Sequence, residues 1–288
     1  MRLALGTVQF GLQYGVANTS GQVKPSEVLK ILNLARSYGI DTLDTAAAYG
    51  DSESVLGTAG VGDFDIVTKV PPFSVQGLPI SDWIEATVYR SIKTLGQKSI
   101  KGLLFHRSQD LLGADGPLAY STLTKLKEQG LVDKIGVSVY SPSELDALFS
   151  HFKFDIVQVP MNILDRRVVL SGWLDKLKNL GIEVHIRSVF LQGLLLIPPQ
   201  KRPKYFLKWD VIFRDYDAWL KKEGLTALHA CLGFLHGMSG IDKIVVGTDS
   251  ASQLEQIIEA FTPLQVTVPD SLMSSDESLI NPSLWRVQ

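Results

Sequence analysis

Short apolar runs alternate with longer amphipathic stretches along this chain, and the alternation repeats eight times. Leu3 to Gly6 reads as a first strand. Ser26 to Tyr38 follows as a helix, with Val28, Ile31, Leu32 and Ala35 on one stripe and Gly39 beyond its end. Thr42 to Asp44 is a second strand, with a brief helix over Ser52 to Leu56. Asp65 to Val70 is a third, stopped by Pro71 and Pro72, and Trp83 to Leu95 is a helix closed by Gly96. Lys101 to Phe105 pairs with a helix from Tyr120 to Gln129, and Lys134 to Ser138 with one from Ser143 to Phe149. Asp155 to Val159 precedes a helix over Trp173 to Leu180, and Glu183 to Arg187 precedes one over Thr226 to His236. Lys243 to Val246 and a helix from Ser252 to Phe261 complete the series.

This order predicts an α/β protein of the (β/α)8 TIM-barrel class. The strands are short and apolar throughout, as when both faces are buried. A single domain over 1–288 is expected, with 194–224 as an insertion after strand seven and 263–288 as a C-terminal tail. An open doubly wound sheet is the rival, but no Gly-x-Gly-x-x-Gly follows a strand. Gly60-Val61-Gly62 lacks the third glycine and precedes a strand, and no Walker lysine motif is present.

The 288 residues are 45% hydrophobic and 20% charged, which supplies a sizeable core and argues against a wholly disordered chain. With 28 basic against 30 acidic residues, the net charge of −2 argues against a nucleic-acid partner bound through bulk charge. Cys231 is the only cysteine, so neither an intrachain disulfide nor a multi-cysteine metal site is expected, and its apolar surroundings read as core. The opening MRLALGTVQFG carries no signal-peptide apolar region, and Val189 to Ile197 is too short to span a bilayer. A cytoplasmic location without membrane contact is the expectation, and the oligomeric state stays open.

Chemistry in a barrel of this kind sits at the C-terminal ends of the strands. Strand two ends at Asp44, with Tyr49 in the following loop; strand three delivers Lys69 and strand four His106. Consecutive strands are neighbours, so these four side chains should meet at one rim. Taken singly, each has a structural reading: an Asp44–Lys69 ion pair, a packed tyrosine, a satisfied histidine. Taken together they are hard to explain as packing, because a buried charge pair costs desolvation that apolar residues avoid. A tyrosine of ordinary pKa, about 10, is a weak acid near neutrality. The expectation is that the Lys69 ammonium lowers the Tyr49 pKa, that Asp44 holds the ammonium, and that neutral His106 orients a carbonyl oxygen. Such a set protonates an oxygen on which negative charge develops, as hydride addition to a carbonyl requires.

The run Asp41-Thr42-Leu43-Asp44-Thr45-Ala46-Ala47-Ala48-Tyr49-Gly50, with Val67-Thr68-Lys69 and Leu104-Phe105-His106, resembles the aldo-keto reductases. The resemblance extends from Gly6-Thr7 to about Phe261. It implies a barrel that binds a nicotinamide cofactor across its mouth, NADP being the usual one and NAD left open, with Tyr49 as general acid. It implies cofactor contacts at Gly6, Thr7 and Asp44, at Ser138 in Gly136-Val137-Ser138-Val139, and at Gln158. Asn162 fits the family pattern as well. Further implied contacts are Arg187 and Ser188, where relatives carry an aromatic residue before the serine, and Gln192 and Gly193. A cation at Arg187 is expected to favour the reduced cofactor. The stretch Gly247 to Gln253 looks like the adenosine-phosphate site, with Gly247, Thr248, Ser250, Gln253 and Gln256 implied as contacts. The basic residues that often clamp a 2′-phosphate are missing there; Lys201, Arg202, Lys204 and Lys208 of the insertion are the candidates to replace them, or else lie on a solvated loop.

The expected activity is NAD(P)H-dependent reduction of an aldehyde or ketone. The substrate pocket is expected at Gln9, Phe10, Tyr14, Phe73 and Arg107 with parts of the insertion and tail. The polar Gln9 and Arg107 lean towards a sugar-like or polar carbonyl. Two rivals remain: a non-catalytic cofactor-binding sensor or regulatory subunit, and a barrel lyase forming a Schiff base on Lys69.

Overall fold

Parallel pairing runs without interruption through β1 (Leu3–Gly6), β2 (Thr42–Asp44), β3 (Asp65–Val70), β4 (Ile100–Phe105), β5 (Val132–Ser138), β6 (Ile156–Pro160), β7 (Glu183–Arg187) and β8 (Lys243–Gly247). The last strand pairs with the first, Leu5 opposite Val246 and Gly6 opposite Gly247, and this closes the barrel. The structure is a computed structural model that describes residues 1–286 apart from 74–77 and 265. Of the expected 263–288 tail, residues 265, 287 and 288 therefore lie outside the described residues.

Two apolar layers hold the barrel. Val67, Leu104 and Ile156 form a small cluster of their own. A Cβ added to Gly102 would stand 2.8 Å from Ile156 Cδ1, so that space is already full. The larger core lies between the strands and the surrounding helices, where Val28, Ile31, Leu32 and Ala35 form the buried stripe of the helix Pro25–Ser37. Cys231 belongs to this core, and burial pushes its thiol up to about 12. No helix among the described residues is long and apolar enough to cross a membrane.

Element boundaries moved by one to four residues where first-turn residues lack the apolar signal. The helix expected from Trp83 begins at Ile80, and the one expected from Tyr120 begins at Gly116, with Pro117 in its first turn. The 194–224 segment is not a loop: it carries the helix Asp210–Glu223, which buries Phe213, Tyr216 and Trp219. It also packs on the tail. Trp285 meets Phe206 edge-on with ring centres 4.8 Å apart, and the Trp209 indole donates to Asp276 at 2.8 Å.

Candidate active site

A cavity of about 520 Å³ opens at the C-terminal ends of the strands. Asp44, Tyr49, Lys69 and His106 all line it, as their positions at three neighbouring strand ends require. Lys69 is buried and donates to Asp44 Oδ1 at 2.7 Å and to the Thr45 carbonyl at 2.9 Å. The other Asp44 oxygen, Oδ2, accepts from Gln158 Nε2 at 2.6 Å. The buried carboxylate is thus satisfied on both sides. Burial lowers the Lys69 pKa, and Asp44 opposes that shift.

Tyr49 and His106 stand above this chain of contacts, edge to face with ring centres 5.8 Å apart. Burial lowers the His106 pKa to about 4, helped by Lys69 and Arg187, so the imidazole is neutral at physiological pH. The Tyr49 pKa is raised rather than lowered. Burial is the main cause and Asp44 the next, while Arg187 pulls the other way. The expectation that Lys69 makes this phenol acidic is corrected. The ammonium's hydrogen bonds go to Asp44 and Thr45, and the carboxylate beside it offsets its charge at the phenol.

The local backbone explains where Tyr49 sits. A Cβ on Gly11 would lie 1.8 Å from the Tyr49 carbonyl oxygen, so the short helix Val8–Gly11 and the Tyr49 loop touch backbone to backbone. Beneath the loop, Ser52 Oγ lies 2.9 Å from Thr7 Oγ1, which itself donates to the Asp44 carbonyl at 3.0 Å. Thr7 lines the cavity, but its hydroxyl is committed to this scaffold.

Most of the implied cofactor positions line the same cavity. Gly6, Ser138 and Gln158 do so at the ends of β1, β5 and β6. Arg187, Ser188, Gln192 and Gly193 do so after β7, and Gly247, Thr248, Gln253 and Gln256 after β8. Ser250 lies outside the lining, and its hydroxyl accepts from Gln253 N as the cap of the helix Ala251–Ala260. The Arg187 guanidinium lies 4.4 Å from the Tyr140 ring centre and donates to the Val139 carbonyl at 2.9 Å. Asn162 is not in the lining either; its amide donates to the Ser188 carbonyl at 3.1 Å. That bond holds a loop in which Ser188, Leu191 and Gln192 all have positive φ.

The expected substrate wall is corrected in three places. Phe10 is fully buried in the core, Phe73 packs edge-on against Phe105 and Trp83, and Arg107 is paired with Asp110. Gln9 and Tyr14 do line the cavity, and the Tyr14 hydroxyl accepts from Gln192 Nε2 at 3.1 Å. From the insertion only Leu196 contributes, and no described tail residue does. Lys201, Arg202, Lys204 and Lys208 are all outside the lining; Arg202 is paired with Asp217 and Lys208 lies over Trp209. Sequence reasoning missed Tyr140, two residues beyond Ser138, and the link between the Asn18 amide and Asp249, which join across 231 residues of chain.

The comparisons with known proteins agree with this geometry. The model of the aldo/keto reductase family matches residues 2–274. L-glyceraldehyde 3-phosphate reductase of Escherichia coli O157:H7 is 23% identical, over 96% of this chain and 91% of its own length. Oxidoreductase sirO of Leptosphaeria maculans is also 23% identical, over 88% of this chain and 86% of its own. Aldo-keto reductase AKR11C1 from Bacillus halodurans, in its holo form, shares the fold with a TM-score of 0.72 at 21% identity, over 91% of this chain and 88% of that one. Since the family match takes in all eight strands and the four residues that meet at the cavity, the chain belongs to the aldo/keto reductase family, whose members are oxidoreductases acting on carbonyl groups with nicotinamide cofactors.

Proposed function

We propose that this protein reduces a small polar aldehyde or ketone to the alcohol, with Tyr49 as the proton donor. The observation that carries this reading is the Tyr49–His106 pair standing over the buried Lys69–Asp44–Gln158 contacts at one end of the cavity. A nicotinamide dinucleotide, when bound, supplies the hydride to the carbonyl carbon. The residues present fit such a group. His106 Nδ1 and Gln9 Oε1 are buried without a protein partner, and Ser138 lines the same cavity from the end of β5.

The chain's own residues do the rest. Neutral His106 donates a hydrogen bond to the carbonyl oxygen and orients it. As the carbon–oxygen π bond breaks, its electron pair moves to oxygen, and the oxygen takes the proton from Tyr49 Oη. A raised phenol pKa keeps that proton on Tyr49 until the oxyanion develops beside it. Arg187 offsets part of the rise and so strengthens the acid. The polar substrate class rests on Gln9, Tyr14 and Arg187 in the wall, and on a relative named for a phosphorylated aldehyde. The lyase reading loses support because Lys69 is engaged as an ammonium by Asp44 and Thr45.

Oxidation of NADH and NADPH, followed against aldehydes, ketones and sugars, tests the reading with Tyr49→Phe as control. Turnover that falls about 10²-fold or more in the variant is expected. Full rate in that variant removes the proton donor, and cofactor binding without turnover on any carbonyl favours the sensor.

A further inference from the structure

The cavity has two chemically different ends. Tyr49, His106 and Lys69 mark one, where a reacting carbonyl must sit. The other lies between Asn18 in the loop after β1 and the stretch Gly247 to Gln256 after β8. A dinucleotide spanning the cavity with its nicotinamide at the first end would bring its adenosine ribose to the second. The two ends differ in charge. Among the described residues Lys69 and Arg187 are the only lysine or arginine in the lining, and both belong to the first end. The polar side chains at the far end are those of Asn18, Thr248, Asp249, Gln253 and Gln256, which include a carboxylate and no cation.

Part of the backbone at the far end is also committed. The start of the helix Ala251–Ala260 would ordinarily offer N–H groups to a phosphate. Here Ala251 N donates to Glu27 Oε1 at 2.9 Å, Asp249 N to Gln253 Oε1 at 2.8 Å, and Gln253 N to Ser250 Oγ at 3.2 Å. Glu27 has its own counter-ion in Lys30 at 3.0 Å. Asp249 has no basic partner among the described residues; its Oδ1 accepts from the Asn18 amide at 3.2 Å.

We propose that this protein selects NADH over NADPH, and that Asp249 is the residue that rejects the 2′-phosphate. The inference rests on the reductase reading and fixes its cofactor. A carboxylate accepts a hydrogen bond from a free ribose hydroxyl, whereas it repels a phosphate dianion at the same carbon. No nearby lysine or arginine of the lining offsets that repulsion, and three of the amides at the helix start, those of Asp249, Ala251 and Gln253, are occupied by side chains.

Calorimetric titration of the full chain with NADH and NADPH tests this without turnover. NADH should bind about tenfold tighter or more, a difference of about 1.4 kcal/mol. Asp249→Asn keeps an acceptor for the Asn18 amide while removing the charge, so it should tighten NADPH by a severalfold factor and, with a weaker acceptor for the ribose hydroxyl, loosen NADH, moving the ratio of the two affinities towards NADPH. The fragments 5′-AMP and 2′,5′-ADP should follow the same order. NADPH binding as tightly as NADH overturns the selectivity, and an unchanged ratio in Asp249→Asn overturns the assigned residue. Failure of both dinucleotides to bind overturns this inference together with the reductase reading, so the two failures are told apart.

Discussion

The Lys69 ammonium stands 5.1 Å from the centre of the Tyr49 ring, yet its hydrogen bonds go to Asp44 and to the Thr45 carbonyl. The lysine therefore acts on the phenol as half of a buried ion pair, and the pair's two charges largely cancel at the ring. Arg187 is the cation that draws the phenol's pKa down. In the proposed reduction Tyr49 would hold its proton until the substrate oxygen becomes basic enough to take it.

Lys69→Met should be strongly destabilising, because it leaves the Asp44 carboxylate buried with Gln158 as its remaining side-chain partner. Breaking such a pair costs about 3–5 kcal/mol. The double variant Asp44→Asn with Lys69→Met should recover much of that loss. Urea unfolding curves of the two variants and the wild type check the order. Equal loss in the single and double variants would mean that the ion pair is not the unit of stability.

His106 gives a pH signature with a definite sign. Its pKa is about 4 in the folded protein against an ordinary 6.5, so the unfolded chain binds the extra proton between those values. Stability from this group should be fully present above about pH 6.5, fall as pH drops towards 4, and stay low below it. His106→Asn should flatten that part of the stability–pH curve. The rate of reduction should show no ionisation of this histidine between pH 6 and 8, about the window where an unperturbed one would titrate. A kinetic pKa near 6.5 that vanishes in His106→Asn would contradict the buried, neutral ring.

Asn162 links β6 to the loop after β7. Its amide donates to the Ser188 carbonyl, while its Oδ1 accepts from Leu164 N and Asp165 N, both at about 3 Å. Asn162→Ala leaves Leu164 N and Asp165 N without their side-chain acceptor and takes one of two donors from the Ser188 carbonyl, which keeps Leu191 N, at a cost of about 1–3 kcal/mol. The loop it releases holds Ser188 and Gln192 at the cavity wall with φ of 60° and 53°. Dinucleotide affinity should therefore fall along with thermal stability. A drop in melting temperature with unchanged affinity would show that the loop's shape does not depend on this asparagine.

Strand order and the four converging residues were legible because they depend on local signals: apolar runs ending in Pro71, Pro160 or Arg187, and polar residues placed just beyond them. Contacts that join distant segments were not. Nothing near Asp249 in sequence points to Asn18, and Arg107, which reads as a wall residue from its place after His106, is turned to Asp110 by a bond three residues away. The helix Asp210–Glu223 was readable in principle from Phe213, Tyr216 and Trp219 at helical spacing, but it falls inside a segment taken as an insertion. The Tyr49 acidity is not legible in the sequence for a physical reason. Sequence shows which charges are neighbours, whereas burial, the larger cause here, appears only when the barrel is closed around the phenol.

Gly11 offers a test of how closely Tyr49 is placed. A Cβ at this position would stand 1.8 Å from the Tyr49 carbonyl oxygen and 2.4 Å from Ser52 N, both backbone atoms that cannot rotate away. Across the same contact, a Cβ on Gly50 would meet the Gly11 carbonyl oxygen at 2.4 Å. Gly11→Ala must push the Tyr49 loop outward, at a cost in the range of overpacking, about 1–3 kcal/mol. A displacement of about 1 Å at a reacting group lowers rate by about 10²-fold. Turnover should therefore fall far more than dinucleotide affinity, since Ser138, Gln158 and the β8 loop lie on other strands. Gly62→Ala is the control, because a Cβ there has nothing within 4 Å and the site is remote from Tyr49 in the loop before β3. If Gly11→Ala keeps the wild-type turnover number, the close approach of the two backbones does not set the position of the phenol, and the scaffold around Thr7 and Ser52 must hold it alone.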